Sequence, residues 1–145
     1  ARAYGRLADH VYDRECTLKT PEVAGAAEAL ASLATLAELY LVTARPAARM
    51  EFAREWAELK GVARHFRAFH TSAGSSKEDV CRAIAADVLI DDDIRHLKDI
   101  QLPGLRRLHI QLDRTVIDES IADVVVCRTW SEILEALGQR RKDLT

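Results

Sequence analysis

Three consecutive aspartates follow a short apolar run in the stretch VLIDDDIRHL, from Val88 to Leu97. Like charges in a row repel each other and lose hydration beside a core, so they are costly unless a cation or a cationic side chain neutralises them. The alternative for such aspartates is a helix cap for the following IRHLKDI, and Asp93 suits that role. We therefore expect a positive group opposite Asp91 and Asp92.

Two other polar residues stand where predicted elements begin or end. Thr43 closes the apolar run LYLV, and Lys77 lies in the first turn of a predicted helix, SSKEDVCRAIAA, which Ser75 or Ser76 opens. Taken singly, Thr43 could be a simple cap and Lys77 a solvated surface residue. Arg45, just after Thr43, is predicted to be an exposed loop arginine. The histidines show no ligand spacing and are predicted to be structural: His10, His65, His70, His96 and His109.

Short apolar runs alternate with segments of helical period along the chain. The predicted strands are LYLV, HFRAFHT, DVLIDD, RLHIQLD and DVVVCR. One helix is predicted to begin at Thr20 and Pro21, and another to end at Gly61. Parallel neighbours need crossover connections, and strands this apolar are typical of sheets covered on both faces. The pattern predicts a doubly wound parallel α/β sheet, in which Thr43 and Asp91 open into one crevice at the carboxyl ends of the strands.

The composition of the chain limits its number of domains, its partners and its compartment. A chain of 145 residues, 48% hydrophobic and 30% charged, suits one globular domain over residues 1–145. The net charge of -2 argues against a nucleic-acid polymer or an anionic membrane as partner. Three scattered cysteines without a CxxC spacing favour a reducing compartment, the cytoplasm. No apolar run reaches the roughly 18 residues that a membrane span needs.

Three of these stretches resemble a known family in their order. LYLVTARP, SSKEDV and VLIDDD are similar to the second, third and fourth motifs of the haloacid dehalogenase-like (HAD) hydrolases. VTARP together with IDDD looks most like the 5'(3')-deoxyribonucleotidase branch. TPEVAGAAEALASL resembles the helix before the second motif there, and RTWSEILEAL the start of the last helix. The resemblance covers a core of roughly residues 18–137 and implies a HAD-like, Rossmann-like fold.

The resemblance also implies a function and a set of roles. It implies a Mg²⁺-dependent phosphomonoester hydrolase acting on a small phosphorylated substrate such as a nucleoside monophosphate. Thr43, the amide of Ala44 and Lys77 would bind the phosphate, and Thr43 and Lys77 would assist catalysis. Asp91 and Asp92 would hold Mg²⁺ through hard oxygen ligands. Such chemistry depends on positioning and on neutralising phosphate oxygens.

The chain departs from the family at the first motif. That motif is an apolar strand ending in Asp-x-Asp-Gly, which supplies the covalent nucleophile. Asp9 and Asp13 instead lie in ARAYGRLADHVYDREC, which is predicted to be helical and resembles the start of a small cap. Residues 1–17 are therefore interpreted as the remnant of a minimal cap. The family's first strand occupies the centre of the sheet, so the central strand is missing here.

Three interpretations remain open. An upstream segment outside this sequence carries the nucleophile, and the chain alone is inactive. Alternatively LHIQLDRTV fills the central position with Asp113 as nucleophile, although Thr115 then replaces the second aspartate. In the third, the chain is a non-catalytic phosphate-binding or interaction module. A homo-oligomer is compatible with all three.

Overall fold

A computed structural model of the protein describes residues 13–113 and 121–143. The helices are α1 (Arg14–Lys19), α2 (Ala26–Ala34), α3 (Ala47–Leu59), α4 (Lys77–Ala83) and α5 (Trp130–Asp143), and the strands are β1 (Leu39–Thr43), β2 (Phe66–Thr71), β3 (Val88–Asp91), β4 (Arg106–Ile110) and β5 (Val124–Cys127). The chain divides into two compact units. The first ends at Val80 and the second begins at Cys81. The assignment of residues 1–145 to one domain stays a prediction.

The first unit contains a parallel pair of strands. Within β1 and β2, Leu39 pairs with Phe66 and Thr43 pairs with Thr71, so both strands end at the same level. The chain between the two strands forms α3. All five side chains of β1 remain partly exposed, although strands this apolar are typically covered on both faces in a parallel sheet. The prediction of full coverage is therefore wrong for β1.

The helix predicted from Thr20 begins later than expected. Thr20 ends α1 instead, and its hydroxyl donates to the carbonyl of Cys16 at 3.1 Å. Pro21 pushes the residue before it towards extended backbone, and Thr20 has a ψ of 126°. The next helix starts only after Gly25, which has a φ of 79° in the left-handed region. The local chemistry of the Thr-Pro pair thus favours a helix end over a helix start.

Helix α3 ends at the glycine that its sequence predicts. The carbonyl of Pro46 accepts from the amide of Met50 at 2.9 Å, so the proline sits just ahead of the first turn. Gly61 has a φ of 72°, and the next amide, of Val62, donates back to Ala57 at 2.9 Å. A left-handed glycine of this kind is a common helix terminator. Among the described residues of the first unit, the buried hydrophobic residues are Ala29, Leu33, Ala57 and Val62.

The segment interpreted as a cap remnant is only partly described. Residues 1–12, with Asp9 and His10, lie outside the described residues. Asp13 is the N-cap of α1, and its Oδ1 accepts from the amide of Cys16 at 2.8 Å. The indole of Trp56 in α3 donates to the carbonyl of Thr20 at 2.8 Å, just after α1. Asp13 therefore has a capping role, which suits neither a nucleophile nor an acid.

The second unit is built on three parallel strands in the order β3, β4, β5. His109 of β4 is level with Asp91 on one side and with Val126 on the other. One face of the sheet packs on α5, where the buried residues are Leu108, Ile110, Cys127 and Ile133. The other face packs on a cluster of Cys81, Leu89 and Leu97. Both faces of this sheet therefore carry buried apolar clusters.

Strand β5 departs from the predicted burial. Val125 is 42% exposed and Val126 is 46% exposed, although the run VVVC predicted a strand covered on both faces. The strand order explains the difference, because β5 is at the end of its sheet and pairs with β4. The prediction of full coverage is wrong here too.

The fold class is mixed α/β with parallel sheets, as the alternation of strands and helices predicted. Every strand pairing in the described residues is parallel. None of the helices within the described ranges is both long and apolar enough to span a membrane.

Candidate functional site

Thr43 is the last residue of β1 and forms a tight turn with the two residues after it. Its Oγ1 accepts a hydrogen bond from the amide of Arg45 at 3.2 Å, and Ala44 is exposed at the tip of the turn. Its carbonyl accepts from the amide of Ser72 at 2.8 Å. A hydroxyl that accepts one hydrogen bond can still donate its own proton. The turn therefore fixes the Thr43 oxygen while leaving it able to donate to an anion.

Arg45 is not the exposed loop arginine that the sequence predicted. It is half-buried, and its guanidinium donates to the hydroxyl of Thr17 at 2.9 Å. Thr17 lies on α1 and is only 4% exposed. The carbonyl of Arg45 accepts a hydrogen bond from the hydroxyl of Thr71. Arg45 therefore connects α1 to the ends of β1 and β2, a set of long-range contacts that sequence spacing does not reveal.

Sequence reasoning also missed the polar end of β2. Thr71 accepts from the amide of Ala73 at 3.0 Å, and Ser72 is buried, with 6% exposure. The hydroxyl of Ser72 lies 3.4 Å from the carbonyl of Thr43. A signal was present, because two hydroxyl residues, Thr71 and Ser72, end the segment FRAFHTS. The carboxyl ends of β1 and β2 thus form one hydroxyl-rich edge.

Lys77 is the first residue of α4, as predicted. Ser76 is the residue that opens this helix, since its hydroxyl accepts from the amide of Asp79 at 3.1 Å. A lysine in the first turn opposes the helix dipole, whereas Glu78 and Asp79 in the same turn favour it. Lys77 therefore lies at the N-terminal end of α4 with a half-buried side chain.

Asp91 is the last residue of β3 and has a buried carboxylate. Its side chain is 3% exposed. Oδ1 accepts from the amide of Asp93 at 2.9 Å, and Nδ1 of His96 lies 3.3 Å from Oδ2. Buried carboxylates are stable only with such partners. The chain itself therefore supplies part of what Asp91 needs.

Asp92 and Asp93 have different environments from Asp91. Asp92 is exposed to solvent. Asp93 caps the 3-10 turn Ile94–His96, as the sequence predicted, and its Oδ2 accepts from the Arg95 guanidinium at 2.6 Å. Arg95 neutralises Asp93, His96 contacts Asp91, and water solvates Asp92. The Arg95 guanidinium and the His96 imidazole therefore already contact two of the three aspartates, Asp93 and Asp91.

Magnesium suits this donor set only in part. Among residues 13–113 and 121–143, no three or more His, Cys, Asp or Glu side chains form a group able to hold a metal ion. Mg²⁺, however, usually keeps several waters and takes one or two carboxylates plus substrate phosphate oxygens. Asp91 and Asp92 fit an ion of that kind, and the remaining ligands would have to come from water or a substrate.

The predicted role of Asp113 in a rearranged active site finds no support in the strand pairing. β4, which contains LHI of that segment, pairs with β3 on one side and β5 on the other. Both edges of β4 are thus occupied, so it does not fill a position between β1 and β3. Asp113 follows β4 and is exposed, and Thr115 lies outside the described residues.

The Asp93–Arg95 pair gives a testable pH dependence. Hydrogen bonds from Arg95 lower the pKa of Asp93 from 3.8 to about 2. Because the folded pKa is lowered, the pair stabilises the fold above the ordinary pKa, and this contribution is lost as the pH falls through about 2. Arg95 is 79% exposed, so we expect at most about 1 kcal/mol.

NMR titration of the Asp93 carboxyl measures this pKa directly. Arg95→Gln should raise it towards the usual aspartate value. Lys98→Gln, which removes another exposed cation of the same loop, should leave it near that of the wild type. A pKa in Arg95→Gln as low as that of the wild type would contradict the assignment.

No known family model matches the chain, and no curated protein matches it in sequence. Membership of the HAD superfamily therefore rests on the three motifs and is a proposal.

Proposed function

We propose that the chain is the core of a Mg²⁺-dependent phosphomonoester hydrolase of the HAD type, closest to the nucleotidase branch. Thr43, the Ala44 amide and Lys77 bind the phosphate of a small substrate, such as a nucleoside monophosphate. Asp91 and Asp92 hold the ion, which neutralises phosphate oxygens when bound. The nucleophilic aspartate comes from residues outside this sequence.

The observation that carries this proposal is the position of three motif residues at element boundaries. Thr43 is the final residue of β1, Asp91 is the final residue of β3, and Lys77 is the first residue of α4. Parallel α/β sheets place ligands beyond the carboxyl ends of their strands. These positions support the proposed role of each residue within its own unit.

The strand pairings support a HAD-like core as the finer description of the fold. One common doubly wound sheet has the order 3-2-1-4-5-6. Without its first strand, such a sheet would keep the second strand paired with the third, and the fourth, fifth and sixth strands paired in series. The observed pairings, β1 with β2 and β3 with β4 and β5, follow that pattern. Cys81 and Cys127 are buried and form no disulfide, which suits the reducing cytoplasm that we propose as the location.

A non-catalytic phosphate-binding module is the second candidate, and one observation favours it. Asp91 and Asp93 already have partners within the chain, namely His96 and Arg95. Carboxylates that the chain itself satisfies do not require a metal ion. In that case the hydroxyl-rich edge at Thr43 would bind phosphate without any reaction.

Thermal unfolding with and without Mg²⁺ tests the metal assignment. Mg²⁺ at about ten times its Kd should raise the Tm by roughly 3–6 °C, because a ligand that binds only the folded state stabilises it. Asp91→Asn should abolish the rise, since the neutral amide is a much weaker Mg²⁺ ligand.

Two controls sharpen this experiment. Asp99→Asn removes an exposed carboxylate of the same unit and should keep the full response. NaCl at matched ionic strength should give no comparable rise. If Asp91→Asn responds like the wild type, the ion binds elsewhere and the non-catalytic candidate becomes the better one.

A further inference from the structure

We infer that His109 is a positioning residue for the proposed metal site, because it holds the turn that carries Asp91 and Asp92. The inference rests on the proposed function, since it assigns a partner to the same two carboxylates. Neither the motif resemblance nor the spacing of the histidines indicates this role.

The imidazole of His109 is buried although it is polar. His109 is 1% exposed and lies in β4, level with Asp91 on the neighbouring strand. Its Nε2 lies 3.1 Å from the carbonyl oxygen of Asp92. A carbonyl oxygen can only accept, so Nε2 must bear the hydrogen. This bond fixes both the tautomer of the imidazole and the direction of the Asp92 carbonyl.

Two hydrogen bonds therefore hold the turn after β3, one on each side. The Asp91 carboxylate accepts from the amide of Asp93 at 2.9 Å, and the Asp92 carbonyl accepts from His109. The peptide group between Asp92 and Asp93 is therefore hydrogen-bonded at both its carbonyl and its amide. The carboxylate of Asp92 remains exposed, so that a cation that keeps part of its water shell can bind there. The spacing of the two carboxylates is therefore set by His109 as well as by the strand.

A purely structural role explains the side chain less well. Leu108 and Ile110, on either side of His109, are 0% and 5% exposed and face the α5 cluster. A leucine or valine at position 109 would fill a buried site without needing a hydrogen-bond partner. An imidazole there is costly unless its hydrogen bond matters. Ligand-orienting partners of this sort typically change metal affinity by about 10–100-fold when they are removed.

Two substitutions separate the hydrogen bond from the bulk of the ring. The amide nitrogen of glutamine is as far along the side chain as Nε2, so His109→Gln can keep the donor to Asp92. The shorter amide of His109→Asn cannot reach it. Mg²⁺ titration of the full chain, followed by the backbone amide shifts of Asp92 and Asp93, gives Kd for each form. We expect His109→Asn to weaken Mg²⁺ binding at least about tenfold and His109→Gln by less than about threefold.

The remaining outcomes each overturn the inference. If His109→Asn binds Mg²⁺ as tightly as the wild type, the inference fails but the metal site stays. If both variants lose affinity equally, the hydrogen bond from Nε2 does not explain the loss of Mg²⁺ affinity. No Mg²⁺ effect on the wild-type shifts would remove the proposed metal site together with the inference. If His109→Asn does not fold, the ¹⁵N shifts of the wild-type imidazole decide: a hydrogen on Nε2 supports the inference, and an Nε2 without one overturns it.

Discussion

The chain of 145 residues should hydrolyse p-nitrophenyl phosphate no faster than buffer, and joining a strand that ends in Asp-x-Asp-Gly to its N-terminus should create a Mg²⁺-dependent phosphatase. The reason is covalent chemistry, because the phosphoryl group needs a nucleophile placed in line with the leaving oxygen. Asp13 is a helix cap, and Asp113 is exposed after a strand whose edges are both paired. Initial rates with a chromogenic ester and with nucleoside monophosphates measure the gain.

In the extended protein, Lys77→Met should lower kcat by about 10²–10³-fold, since one charge-stabilising donor is usually worth that much. Thr43→Val should also lower kcat. Lys98→Met removes an exposed lysine of the second unit and is the matched control that should keep the rate. Turnover by the unextended chain that Asp113→Asn abolishes would contradict the proposal and restore the rearranged site. Full activity of Lys77→Met would remove Lys77 from the mechanism.

Leu108→Ala should destabilise the second unit by about 2–5 kcal/mol. Leu108 is 0% exposed in the central strand of the sheet and packs in the cluster that includes Ile133. Removing its side chain leaves a cavity where the surrounding strands cannot close in. Urea unfolding followed by the fluorescence of Trp130, which packs against the same cluster, measures the loss. A Trp56→Phe background isolates the signal of Trp130.

Leu112→Ala is the matched control for this substitution. Leu112 follows the same strand but is 44% exposed, so the same change of side chain should cost within about 0.5–1 kcal/mol. Similar losses for the two leucines would show that burial does not govern the stability of this unit, contrary to the structure.

Local chemistry explains which parts of the fold the sequence could predict. Strand ends at Thr43 and Asp91 and the helix end at Gly61 depend on a few adjacent residues and are found as predicted. Of the two serines predicted to open α4, Ser76 is the one that caps it. The alternation of apolar strands and helices also predicted the parallel pairings. The prediction that a helix starts at Thr20 was wrong because two local signals compete there. Threonine is a common cap residue, but Thr20 also precedes a proline.

The rest depended on contacts between residues far apart in sequence. Arg45 meets Thr17, and His109 meets Asp92, through side-chain directions that no spacing encodes. A weaker signal for His109 was available, because the apolar neighbours Leu108 and Ile110 face one side of the strand and leave residue 109 on the other. Burial of the strands was overestimated for the same reason, since an apolar run does not say which neighbours a strand will have.

The partial exposure of β1 has a consequence for local opening of the chain. Backbone hydrogen bonds that water can reach, with few buried apolar contacts around them, are the first to break in native-state fluctuations. β1 has no fully buried side chain, whereas the middle strand of the second sheet contains Leu108 and His109 at 0% and 1% exposure. The turn at Thr43 therefore belongs to the part of the protein with the lower free energy of opening, and a phosphate bound there would reduce this opening as it binds.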